Sequence, residues 1–319
     1  MRRPPLAVLL ALLSGLLSWA GEEALAGDVS RRVLRLSTGR VETVPLEAYV
    51  AAVLPGEIGS APAAALQAQA VAARSYAMAK TGRHEDLGAD LCDGVHCQVY
   101  RGPSAATRDS RRAAEATRGL VLAQRGRVIA APFHSVCGGR TARPSDVWDD
   151  EETPDLPPVD DDACSGAPGS EWTFRLERGA LGELGAALGL PGARFLEVFG
   201  HDGSGRVSMV RIVSRGGVSR VVRGFDFRRA GSELWGWATI RSTDFRVAGE
   251  TATAYLLSGR GTGHGAGLCQ RGAIRRAARG ETRDGILLHY YRGTELTTLE
   301  ALASAPPRRG TGEAGSGRR

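Results

Sequence analysis

A chain of 319 residues with 42% hydrophobic and 24% charged content can close a real core, and its balance excludes a fibrous or wholly disordered protein. The net charge of +6 favours a polyanionic partner, but no nucleic-acid motif accompanies it and aromatics are scarce, so no nucleic-acid partner is expected. Forty-three glycines imply many turns, and the five cysteines are an odd number that cannot all pair within one chain.

Arg2 and Arg3 precede an apolar run over 6–17 and an Ala24-Leu25-Ala26 site, the layout of a cleaved export signal over 1–26. The run is short for a span, so a membrane anchor would exist only with the signal uncleaved. The expected location is the bacterial cell envelope or periplasm, or outside the cell, where disulfides are permitted. Residues 32–44 partly alternate apolar and polar and read as a strand or hairpin.

Residues 44–76 organise the rest. Leu46, Val50 and Val53 recur at helical spacing, and Pro55-Gly56 is expected to end that helix. Ser60 is the expected N-cap of a second helix, with Pro62 near its start and a small-residue stripe of Leu66, Ala70, Ala73 and Ala77. The bend between them carries a lone acid, Glu57, beside Leu54 and Ile58. Apolar neighbours would raise its pKa and suit a general acid, whereas the N-terminus of the second helix would lower it.

Residues 81–102 have few apolar side chains and read as a surface loop holding His84, Cys92, His96 and Cys97. Zinc binding and a Cys92–Cys97 disulfide both fit, with His96 the less natural ligand because it adjoins Cys97. A helix is expected over 104–117, then strands over 120–123 and 128–136 about a turn. His134 and Ser135 adjoin on the second strand, so their side chains face opposite ways and a nucleophile–base dyad is disfavoured. The acidic, proline-rich stretch 146–164 reads as a loop, and a Cys137–Cys164 disulfide closing it is the preferred pairing, leaving Cys269 free or buried. From 171 the pattern turns strand-rich, with strands expected over 195–199, 207–213, 218–223 and 235–242. Helices are expected over 181–190 and from 224. A glycine-rich loop over 259–272 leads into a helix and lacks the Lys-Ser/Thr of a phosphate-binding loop.

Several stretches together resemble the stage II sporulation protein D family. They are LE-x-Y-V-x-x-V-x-x-GE over 46–57, L-x-AQAVAAR-SY over 66–76, CQVYRG at 97–102, FHSVCGGRT at 133–141, DVW at 146–148, GHGAGLCQRGA at 263–273 and ILLHYYRG at 286–293. The resemblance spans roughly 44–296. It implies a lytic transglycosylase that cleaves the bond between N-acetylmuramic acid and N-acetylglucosamine in peptidoglycan and forms a 1,6-anhydro product. Glu57 would be the catalytic acid/base, with Arg74, His134, Ser135, His264 and Gln270 binding substrate. His84, Cys92 and Cys97 would hold a structural zinc, and no cofactor would be required for the chemistry. Cys269 stands where many relatives have Ser. The implied partners are glycan strands stripped of stem peptides and a cell-wall amidase acting upstream. Two alternatives stand beside this reading: a non-catalytic glycan-binding amidase enhancer, and a muramidase-type hydrolase drawing a second carboxylate from Asp146 or Asp149.

The fold class expected is α+β, a helical catalytic segment packed on antiparallel sheet with a smaller strand-rich second region. The expected layout is a signal over 1–26 and a catalytic region over 27–170 carrying the acid and the Cys/His cluster. A strand-rich region with the glycine-rich groove motif follows over 171–300, then a disordered tail over 301–319.

Overall fold

The computed structural model describes residues 29–148 and 154–304, so the expected signal lies outside the described residues. The chain opens with an antiparallel hairpin of β1 (Ser30–Arg35) and β2 (Arg40–Pro45), turned at Gly39 with φ +69°. Helix α1 (Leu46–Glu57) follows directly. It is buried on almost every side, as an apolar sequence without a polar face requires. Pro55 does not end it. Proline removes only one hydrogen bond in a last turn, and the stop comes at Gly59, whose φ of +70° lets Ile58 and Gly59 both donate N–H bonds to the Leu54 carbonyl.

Helix α2 (Ala63–Ala79) starts after Pro62, with no side-chain cap; Ser60 does not fill that role. Its small residues let α1, α3 (Arg108–Ala116), the strand β4 (Leu120–Gln124) and two later helices all approach it. Beside β1 runs the short parallel β3 (Leu91–Cys92). After β4 come β5 (Arg127–Val128) and β6 (Phe133–His134), so the continuous strand expected over 128–136 is interrupted. At Pro132 the chain changes partner: its carbonyl accepts from the Leu268 N–H, in the pairing of β6 with a later strand, and from the Tyr291 hydroxyl. A one-turn helix, α4 (Pro144–Val147), then leads to Trp148.

The second body is a strand-rich insertion. Strand β7 (Glu171–Glu177) and helix α5 (Arg178–Ala187) precede the antiparallel meander β8 (Ala193–His201), β9 (Val207–Ser214) and β10 (Ser219–Arg223). Helix α6 (Gly224–Trp235) follows, and Gly236 at φ +89° ends it. The strand expected over 235–242 is therefore absent: Trp235 closes the helix and the segment after it turns. Strands β11 (Phe245–Glu250) and β12 (Ala254–Arg260) form an antiparallel sheet with β7. This body has its own core, including Leu176, Leu184, Val210, Phe227 and Leu257.

From 261 the chain returns to the first body, so the strand-rich core closes well before residue 300. Strand β13 (Leu268–Cys269) pairs in parallel with β6, and α7 (Gln270–Ala278) and α8 (Arg283–Tyr290) pack on α2. Strand β14 (Glu295–Thr298) completes the antiparallel sheet β14-β4-β5. Helix α9 (Leu299–Ser304) occupies the first residues assigned to the disordered tail, and 305–319 lie outside the described residues. The architecture is α+β. The larger core joins α1, α2 and β4 to α7 and α8, and a Leu54→Ala truncation there would cost about 2–5 kcal/mol.

Candidate active site

Glu57 is the last residue of α1, and two neighbours fix it. Gly56 lets the 97–100 loop lie against the helix end, because a Cβ there would stand 2.6 Å from the Val99 carbonyl oxygen. The Val99 N–H donates to a Glu57 carboxylate oxygen at 2.6 Å. The loop is itself pinned. Tyr49 donates its hydroxyl to the Gln98 side chain at 2.9 Å, the Gln98 amide donates to the Ala73 carbonyl at 3.3 Å, and Tyr49 stacks on Tyr100. Burial raises the Glu57 pKa above the usual carboxylate range, against the opposing Val99 N–H bond and the polar Gln270 amide nearby. Gln270, the first residue of α7, lies beside this carboxyl, yet its amide nitrogen makes no hydrogen bond of standard geometry.

The carboxyl opens into a groove of about 690 Å³ lined by both bodies. The first body contributes Glu57, Lys80, Arg83, the 95–99 loop and residues 132–135. The second contributes Phe225, Arg228, Arg229, Glu233 and Trp237, and Trp148 and His264 lie between. Trp148 packs on His264 and Phe225 with ring centroids 4.6 and 6.1 Å apart. Arg228 sits over the half-exposed Trp237 ring. The helix expected from 224 carries several of these groups, but nothing in its sequence marks them as facing a groove; only the DVW stretch singles out Trp148.

Most of the expected binding residues reach this groove. Ser135 is exposed in it. His134 is buried and donates Nδ1–H to the Ala266 carbonyl, leaving Nε2 as a lone-pair acceptor without a protein partner. Burial, helped by Arg206, pushes its pKa down to about 3, so the ring is neutral. His264 corrects the expectation for it. Its Nε2–H donates to the Phe133 carbonyl at 2.8 Å and its Nδ1 accepts from Ala266 N–H, so both nitrogens brace the backbone and only the ring faces the groove. Burial and the neighbouring His134 hold it neutral too.

Arg74 is a second correction. It is completely buried, away from the groove, and its guanidinium grips both carboxylate oxygens of Glu47. It also donates to the Leu120 and Ala114 carbonyls, so it ties α1, α2 and α3 to β4 and has nothing left for a substrate. Asp146 is outside the groove lining, and Asp149 lies outside the described residues.

The loop over 84–97 gathers four candidate metal ligands. One donor atom each from His84, Cys92, His96 and Cys97 lies within 4.8 Å of all the others. Cys97 Sγ is 3.5 Å from His84 Nε2 and 3.6 Å from His96 Nδ1. Two imidazoles and two thiolates fit tetrahedral zinc. His96 enters the cluster despite adjoining Cys97, because the chain turns between 94 and 97, where Cys97 N–H donates to the Gly94 carbonyl. Arg83 touches the outer nitrogen of His96 at 3.0 Å, and ligation through Nδ1 would require that contact to rearrange. The Cys137–Cys164 pairing is not formed; all five cysteines are free thiols, and these two meet Cys269 and Asp161 behind the groove.

Residues 35–123, which hold Glu57 and its loop, match the family model described as stage II sporulation protein. An uncharacterized protein of Brachyspira hyodysenteriae is 30% identical over 80% of this chain and 67% of its own length. The stage II sporulation protein D of Bacillus subtilis is 29% identical over 88% of this chain and 83% of its own. The amidase enhancer of the same organism is 29% identical over 77% of this chain but only 40% of its own length. With motifs and relatives in agreement, the chain belongs to the stage II sporulation protein D and amidase enhancer family.

Proposed function

We propose that this protein is a peptidoglycan lytic transglycosylase of the cell envelope, acting on glycan strands from which stem peptides have been removed. The observation that carries the reading is the Glu57 carboxyl: raised in pKa by burial, held by one backbone N–H, and open to a groove long enough to be shared by two bodies. Protonated Glu57 gives its proton to the glycosidic oxygen as the bond to the anomeric carbon breaks. The resulting carboxylate then takes the proton of the muramyl 6-hydroxyl, whose oxygen closes on the anomeric carbon as a 1,6-anhydro ring. The proton returns to Glu57 and no water is consumed. The exposed Ser135 hydroxyl offers a hydrogen bond to the sugar, while the buried His134 ring backs the groove wall.

The charge of the groove supports the stripped substrate. Amidase cleavage leaves a free lactyl carboxylate on every muramyl unit, and Lys80, Arg83, Arg228 and Arg229 line the groove. An amidase acting upstream is the implied partner. Zinc held by His84, Cys92 and Cys97, with His96 as the fourth ligand, would supply rigidity rather than chemistry, because the same loop presents Val99 to Glu57. No helix among the described residues is long and apolar enough to cross a membrane. A muramidase reading is kept by one observation: Glu233 enters the groove from α6, paired with Arg229 at 3.3 Å, and could serve as a second carboxylate. The non-catalytic reading draws on the name of the amidase enhancer relative.

Mass spectrometry of purified glycan strands, with and without stem peptides, separates these readings. Anhydro-muramyl ends formed from stripped strands by the wild type and not by Glu57→Gln are the expected result. Reducing ends would mean hydrolysis. Unchanged strands, with a partner amidase accelerated equally by both proteins, would assign the enhancer role.

A further inference from the structure

The three cysteines that do not belong to the His84 loop converge at one buried point. Cys137 follows β6, Cys164 lies in the turn after Asp161, and Cys269 ends β13. The three sulfurs and a carboxylate oxygen of Asp161 all lie within 4.8 Å of one another, and all four residues are essentially inaccessible to solvent. We propose that Cys137, Cys164, Cys269 and Asp161 form a second structural metal site, taking a divalent thiophilic ion of the zinc class.

The surroundings are those of a ligated centre. Tetrahedral thiolates around zinc stand about 3.8 Å apart, from a metal–sulfur bond of about 2.3 Å, which is the scale of this cluster. Backbone N–H groups point at the sulfurs: Cys137 N–H to Cys269 Sγ at 3.2 Å, Gly272 N–H to the same sulfur at 3.3 Å, and Gly139 N–H to Cys137 Sγ at 3.4 Å. Such donors stabilise thiolate charge. The carboxylate is oriented in turn, accepting from the Tyr290 hydroxyl at 2.7 Å and from Arg276 at 3.1 Å, as outer partners of metal ligands do. A second cation, Arg206, is buried alongside; it donates to the Cys137 carbonyl at 2.6 Å and leaves its Nε and Nη1 without partners. Arg206 and Arg276 would offset the surplus negative charge of three thiolates and a carboxylate around a divalent ion.

The odd cysteine count follows from the same assignment. The loop cluster uses two cysteines and this cluster uses three, which accounts for all five without a disulfide. Binding would displace the thiol protons to solvent. The position gives the site a structural task. In the register of β6 and β13, Cys269 pairs with His134, Ser135 lies two residues before Cys137, and Gln270 follows Cys269. An ion here would lock three segments of the groove wall from behind.

The test is zinc content of the full chain by inductively coupled plasma mass spectrometry, paired with cobalt substitution. Wild type loaded with zinc is expected to retain two equivalents, and Cys269→Ser to lose one of them while keeping its circular dichroism. The Cys92→Ser/Cys97→Ser variant is expected to retain one equivalent, whose cobalt form shows the charge-transfer band of three thiolates. Should either variant fail to fold, the wild-type cobalt band decides, at five sulfurs against two. Zinc content unchanged by Cys269→Ser would overturn the assignment. So would a disulfide among Cys137, Cys164 and Cys269 in protein purified without reductant, or a wild-type cobalt band carrying only two sulfurs.

Discussion

The two bodies that share the groove are built differently. The first is a cluster of helices around the small-residue α2, and polar groups reach through it to fix single atoms: the Arg74 side chain on Glu47, the Tyr49 hydroxyl on Gln98, the Val99 backbone N–H on Glu57. The second is made of antiparallel strands with alternating burial, and it presents one helix, α6, whose Phe225, Arg228 and neighbouring Trp237 offer area and charge. Proton transfer needs an atom held to within a fraction of an ångström, whereas holding a polymer needs broad, replaceable contact. Under the proposed transglycosylase reading, the contrast puts the chemical step in the first body and the grip on the strand in the second.

The sharpest way to break that assignment is Glu57→Gln. Loss of a positioned general acid should lower the cleavage rate by about 10³-fold with strand binding retained, as read from anhydro-product formation and a separate pull-down on stripped glycan. Binding lost together with turnover would place the grip in the first body as well. Next in size is Arg74→Met. It leaves the Glu47 carboxylate with only the Gly119 N–H among its former partners, and breaking such a buried pair should cost about 3–5 kcal/mol in a urea titration. A variant that kept its stability and lost glycan affinity would restore Arg74 to the binding residues.

The first body was largely readable from sequence because its signals are local. Helical spacing and the GE bend located Glu57, and the motif over 263–273 placed Gln270 near it. The errors there were also local. Pro55 reads as a stop because the sequence cannot show that only one bond is lost in a final turn, and nothing local to Arg74 reveals its Glu47 partner, 27 residues away, against the binding role the resemblance implies. In the second body the strands were visible by alternation, but the groove residues of α6 look like any amphipathic helix until the fold sets it across from Glu57. The three-cysteine cluster was hidden for the same reason. Its members are far apart in the chain, and pairing by proximity to one acidic loop suggested two of the three.

Trp237→Ala tests the other half of the contrast. The ring is 46% exposed at the groove with Arg228 above it, so its removal takes away contact area without touching Glu57. KM for stripped strands should rise by about tenfold, equivalent to ~1.4 kcal/mol, with kcat little changed. A fall in kcat at constant KM would mean that α6 also positions the reacting bond.

The smallest expected effect is the most specific to the acid. Burial raises the folded-state pKa of Glu57 above its unfolded value, so the fold favours the protonated form. The stability contributed by this group is then fully present below the unfolded pKa and is lost as pH rises through the folded pKa. Gln cannot ionise and keeps the oxygen that accepts from Val99. Glu57→Gln should therefore melt ~2 °C above the wild type at neutral pH, and the gap should close as the pH falls below the ordinary carboxylate range. A variant that melts lower at neutral pH would show that Val99 and Gln270 stabilise the carboxylate by more than burial disfavours it. The resting acid would then be ionised, and the first proton transfer would need a different donor.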